Sequence, residues 1–90
     1  MNKYAQTIEA ELDLHMMTRE EARREIFEFL EESEALGYAR VRIITGKGLH
    51  SSGGVGVLGE YVRSLLDEAG YEYQSAKLGE GGSGALDVAL

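Results

Sequence analysis

Apolar and polar side chains alternate from Ile8 onward. Leu12 and Leu14 fall on one side, and Glu11, Asp13 and His15 on the other, the period-two pattern of a strand with one buried face. At Thr18 the period changes. Thr18 and Glu21 form a capping-box pair, and Ala22, Ile26, Phe29 and Leu30 recur at helical spacing until Gly37 supplies a stop. RVRII at 40–44 alternates again. After a glycine-rich stretch, Leu58, Tyr61, Val62, Leu65 and Ala69 mark a second amphipathic helix ending at Gly70. Residues 71–76 and 85–90 read as two strands joined by GEGGSG at 79–84. The predicted order is β-α-β-α-β-β.

Alternation in every strand predicts that only one sheet face is covered, so both helices pack on it. Crossovers between parallel strands are right-handed, which carries the chain across the sheet in one direction, and the fourth strand returns antiparallel. The expected architecture is a two-layer α/β sandwich with an open, polar sheet face. Its topology puts LDLH (12–15), TGKG (45–48) and GEGGSG (79–84) along the edge where the parallel strands end. Ligands bind along that edge in open α/β sheets.

Composition narrows the class. Ninety residues with 43% hydrophobic content suit one domain. The chain has no cysteine for a disulfide or thiolate site. No apolar run approaches the roughly 20 residues of a membrane span, and the first seven residues are too polar for a signal peptide. A cytoplasmic location is expected.

The net charge of −7 argues against nucleic acid at first sight. Its distribution changes the picture. Residues 1–37 hold four Lys or Arg against ten acids, and residues 65–90 hold one against five. Residues 38–64 hold Arg40, Arg42, Lys47 and Arg63 against Glu60 alone. The glycine loop lies in this positive third, and screening within about 10 Å lets a local patch attract an anion.

Asp13 and His15, two apart on a strand, leave the same face with Cα atoms roughly 7 Å apart. Histidine exchanges protons near neutral pH, and a carboxylate beside it orients the ring. The plainer alternative pairs Asp13 with Arg42 on the next strand and leaves His15 as a polar strand end. Lys47, between Gly46 and Gly48, brings an ammonium and backbone amides toward a phosphate, or is a solvated lysine in a turn. His50, Ser51 and Ser52 add donors or are solvated loop. A P-loop is excluded, because Val41 and Gly48 stand where it needs glycine and Ser or Thr. The dinucleotide fingerprint fails at Ser51. Seven glutamates on the first helix read as solvated surface. No spacing demands a metal or other cofactor, although Asp13 and His15 with a third acid would suit a divalent ion.

LDLH followed by a Thr-capped helix, RIITGKGLHS, GGVG leading into a helix, and GEGGSGAL near the end together resemble the Smr, or small MutS-related, domain family. The resemblance covers residues 10–90 and leaves 1–9 as an N-terminal extension. It implies the fold shared with the C-terminal domain of bacterial translation initiation factor three. There the mixed four-stranded sheet has order 1-2-4-3, with strand 4 antiparallel between strands 2 and 3.

The resemblance also implies function. Smr domains are endonucleases that nick DNA or cut messenger RNA, or they are nucleic-acid-binding modules. Asp13 and His15 match the family's presumed catalytic pair. Thr45, Gly46, Lys47 and Gly48 match its TGKG motif. Arg42, His50, Ser51, Gly81, Gly82, Ser83 and Gly84 complete the expected phosphate-binding set. The implied partners are RNA or DNA, with the ribosome and larger flanking domains also in view, and no membrane. The alternative is a non-catalytic module that docks on nucleic acid or a ribosome through the same edge. One departure stands out: the family has glycine after the histidine, and this chain has Met16. Either the turn differs there or cleavage is weakened.

Overall fold

The computed structural model describes residues 7–46, 57–76 and 84–90. Lys47, Gly48, His50, Ser51, Gly81, Gly82 and Ser83 lie outside the described residues. The elements run β1 (Glu11–Asp13), α1 (Arg19–Ala35), β2 (Arg40–Ile44), α2 (Val57–Ala69), β3 (Glu72–Ser75) and β4 (Ala85–Ala89). The sheet order is β1-β2-β4-β3, with β1 and β2 parallel and β4 antiparallel to both of its neighbours. The expected order and strand directions hold.

Each helix starts and stops for a local reason. The Thr18 hydroxyl accepts from the Glu21 amide at 3.1 Å, and the Glu21 carboxylate accepts from the Thr18 amide at 2.9 Å. The predicted capping box is therefore formed on both sides. At the far end, Gly37 takes φ 80° and the Tyr38 amide donates back to Ser33 at 3.0 Å, a glycine stop. Gly70 ends α2 the same way, with φ 83° and a bond from the Tyr71 amide to the Leu66 carbonyl.

The core lies between the helices and one sheet face. Val41 and Ile43 of β2 stand opposite Val88 and Leu86 of β4. These four pack in one cluster with Ala22, Ile26 and Leu30 of α1 and Val62, Leu65 and Leu66 of α2. Each large aliphatic side chain so buried contributes about 1.5–3 kcal/mol.

The other sheet face departs from expectation. Alternation predicted an uncovered polar surface, yet Arg42 and Asp87, which point away from the helices, are each only 7% exposed. Glu11, Arg42, Asp87 and Gln74 form one row across the four strands. Arg42 Nε donates to one Asp87 oxygen at 2.7 Å, and its terminal nitrogen donates to the other at 3.2 Å. Glu11 approaches the same guanidinium at 3.7 Å. The two hydrogen bonds join Arg42 on β2 to Asp87 on the neighbouring β4. Opposite charges in a fork geometry make that burial tolerable.

Removing one member should therefore cost more than removing both. Asp87→Ala is expected to lower unfolding stability by about 3 kcal/mol, because it strands a shielded guanidinium. The double variant Arg42→Met/Asp87→Ala should recover part of that loss, read as a rise in the denaturation midpoint over Asp87→Ala.

Candidate active site

β1 ends at Asp13, two residues earlier than the alternating pattern suggested, so His15 does not sit on the strand. The reason is local. One oxygen of Asp13 accepts from the His15 amide at 3.0 Å, pulling the chain out of the extended course. The Met17 amide then donates to the Leu14 carbonyl at 3.0 Å and closes a turn centred on His15 and Met16. Met16 has φ 70°, alone among the non-glycine described residues in being positive. A turn with positive φ only at its third residue is of type II, a position that favours glycine. The turn has thus kept the glycine-type conformation with a methionine in it, and the Met16 side chain is 93% exposed.

The turn aims the imidazole outward. His15 Nδ1 lies 2.7 Å from the Asp13 oxygen that also takes the His15 amide. An ionised carboxylate only accepts, so Nδ1 carries the hydrogen and Nε2 is left with its lone pair free to take a proton. The two side chains are 67% and 50% exposed. The His15 amide, first, and the imidazole, second, hold the Asp13 carboxyl below its ordinary range. Glu11, not Asp13, stands opposite Arg42 in the strand register.

A second element closes in from β2. The Thr45 amide, the Gly46 amide and the Thr45 hydroxyl all converge on the Gly84 carbonyl, at 2.9, 3.0 and 3.3 Å. This knot ties the end of β2 to the start of β4. Gly46 takes φ 80°, and a β-carbon built there would lie 4.0 Å from the His15 β-carbon. The first half of TGKG therefore rests against the base of the histidine. Gly59, in the first turn of α2, brings that helix against Thr45, whose hydroxyl oxygen lies 3.4 Å from the glycine's β-carbon position.

The predicted site residues sort into three groups. Asp13, His15, Thr45, Gly46 and Gly84 are brought together at one end of the sheet. Arg42 is not at that rim: it lies two residues back along β2, engaged by Asp87 and Glu11. Lys47, Gly48, His50, Ser51, Gly81, Gly82 and Ser83 fall outside the described residues. The amides of Thr45 and Gly46 are already bound to Gly84, so their contribution is to hold the loop. Among the described residues no three His, Cys, Asp or Glu side chains gather in one group. Sequence reading missed Asp87 and Gly59. Asp87 carried a signal, a lone acid in the apolar run ALDVAL, and the 1-2-4-3 order makes Arg42 its neighbour. Gly59 carried none beyond being a glycine inside a helical pattern.

An α/β sandwich with a carboxylate–imidazole pair and a glycine knot at one sheet edge defines a class of small domain with an exposed, carboxylate-held imidazole on an open rim. The chain belongs to the Smr domain family, whose family model matches residues 12–90. It is 38% identical over 82 residues to Endonuclease MutS2 of Thermus thermophilus, a match covering 89% of this chain and 10% of that protein's length. The crystal structure of the Smr domain of that MutS2 aligns with TM-score 0.79 and 36% identity, covering 90% of this chain and 96% of that one. YdaL, a stand-alone small MutS-related protein from Escherichia coli, aligns with TM-score 0.78 and 35% identity, covering 89% of this chain and 63% of that one.

Two outcomes test the turn. Met16→Gly should raise unfolding stability by about 0.5–1 kcal/mol, the relief of a left-handed backbone less the extra entropy of an unfolded glycine. A loss of stability would mean the methionine makes a contact of its own. Asp13, with its carboxyl pKa lowered, adds stability above the unfolded carboxylate value, and that stability is lost as pH falls through the folded value. Because the amide bond is the first cause and survives the substitution, His15→Ala should leave the Asp13 carboxyl still lowered, though less so, as followed by carbon-13 NMR titration of that carboxyl.

Proposed function

We propose that this domain is a phosphodiesterase acting on nucleic-acid strands, with His15 as the proton-transfer group and Asp13 as its orienting carboxylate. One observation carries the reading. A solvent-facing imidazole with Nδ1 tied to a carboxylate is seated against the glycine that opens the TGKG loop. That is a base next to an anion-binding stretch, the pairing that strand cleavage needs. The similarity to an endonuclease supports the same reading.

On RNA, Nε2 of His15 takes the proton of a 2′-hydroxyl, and the resulting oxygen attacks the adjacent phosphorus. The P–O5′ bond breaks, the 5′-oxygen is protonated by solvent, and a 2′,3′-cyclic phosphate remains. Asp13 keeps the ring in the tautomer that can accept and stabilises the imidazolium that forms. Lys47, next in sequence after Gly46, and the loop amides beyond it are assigned to the phosphate charge. Arg42, tied to Asp87, is assigned to the sheet beneath the rim. The acidic flanks confine binding to this rim.

The competing reading is a module that binds strands or ribosomes without cutting. Met16 and the strong negative charge favour it, and the turn that Met16 occupies retains the positive φ of a glycine turn. Labelled RNA and DNA, with and without chelator, separate the two readings. His15→Ala should reduce cleavage at least a hundredfold and leave strand affinity unchanged. RNA products should end in 2′,3′-cyclic phosphate, and 5′-phosphate ends would sink the 2′-hydroxyl route. Strand binding with no cleavage by the parent protein on any substrate would establish the binding module instead.

A further inference from the structure

A shallow cleft of about 390 Å³ lies where the N-terminal turns of α1 and α2 meet, lined by Arg19, Glu60, Tyr61 and Ser64. Arg19 is the first residue of α1, and its guanidinium carbon stands 5.5 Å from the centroid of the Tyr61 ring. Two features of this arginine lack a purpose within the fold. It sits at the helix end whose dipole favours anions. No carboxylate among the described residues pairs with it; its partner is the half-buried Tyr61 ring. Arg19 is exposed, so its guanidinium stays open to solvent while it stands over the Tyr61 ring, and nucleobases stack on guanidinium planes.

We infer that this cleft is a nucleobase-stacking subsite for the strand whose phosphate faces His15. The inference rests on the phosphodiesterase reading above. Location supports it: both helices begin at the sheet edge that carries His15 and Thr45. Arg19 is four residues from His15, so their Cα atoms are at most roughly 14 Å apart. That spans about four nucleotides at 3.4 Å per stacked residue. Glu60 decides which part of the strand enters. A carboxylate in the wall repels phosphate, whereas a base edge with an amino group offers it a hydrogen bond. The backbone therefore stays with the imidazole and the loop, and the base turns toward Arg19. Stacking on a guanidinium tolerates any base, so the subsite adds affinity and sets the register of cutting with little sequence preference.

The decisive variant is Arg19→Lys, which keeps the charge and loses the flat surface. Binding of short fluorescein-labelled single strands, RNA and DNA, is measured by anisotropy for the full chain. Each strand is used with normal bases and with abasic residues. Arg19→Lys should bind the base-bearing strand about tenfold more weakly than the parent, with the salt dependence unchanged. On the abasic strand parent and variant should bind alike. Tyr61→Phe, which keeps the ring and the packing, should bind as the parent does. Equal affinity of parent and Arg19→Lys for base-bearing strands would overturn the subsite and leave the cleavage proposal standing. A parent protein that binds neither strand would overturn the phosphodiesterase reading itself.

Discussion

One carbonyl oxygen organises the working end of this molecule. The Gly84 carbonyl, at the mouth of β4, takes hydrogen bonds from the Thr45 amide, the Gly46 amide and the Thr45 hydroxyl. Three donors on one acceptor hold two chain segments about forty residues apart at a fixed separation, and they act where β4 enters between β2 and β3. Everything at the rim is measured from that point. Thr45 cannot move without breaking the knot, Gly59 seats α2 against Thr45, and Gly46 is carried onto the histidine turn. Glycine at position 46 serves two needs at once. Its φ of 80° is one that side chains rarely adopt, and the space a side chain would enter is bordered by His15.

How much of this could be read from the chain depends on the kind of force involved. The helices, their caps and the strand order follow from period and from turn chemistry that acts over three or four residues. Thr18, Glu21, Gly37 and Gly70 all behave as their local patterns require. The convergence of the LDLH turn with Thr45, Gly46 and Gly84 was also legible, because right-handed crossovers leave few topologies. Sequence reading failed where a side chain's partner lay across the sheet. Arg42 had the charge and position of a phosphate ligand, yet an acid on β4 stands directly opposite and holds it. Strand alternation likewise could not tell that Arg42 and Asp87, at the centre of the polar face, would be buried. The end of β1 was misjudged for a third reason. A single side-chain acceptor, Asp13, competes for the His15 amide and ends the strand early.

The electrostatic layout sets one positive segment within an acidic chain. Glutamates crowd α1, while the middle third of the sequence is net positive. Of its cations, Arg42 is internally neutralised, and Arg63 donates to Ser75 on β3. The field around the chain is thus a small positive zone in an acidic surround. Such a layout disfavours long tracking contacts and favours a ligand presented locally. The MutS2 relative, of which this chain spans 10%, carries its matching segment within a much longer protein.

The imidazole itself shows how a surface residue is kept in one orientation without burial. At 67% exposure His15 gains little from packing. Its direction is instead set by polar tethers: Asp13 grips both the ring nitrogen and the amide of the same residue, and the turn closes through Leu14 and Met17. Leu14 is wholly buried, so the turn hangs from the core by the residue just before the histidine. Thr18, two residues past Met16, caps α1 and fixes the other end. A strained methionine between two such anchors survives because neither can shift to relieve it. The same rigidity that makes position 16 costly also holds Nε2 in the open, oriented toward whatever the rim receives.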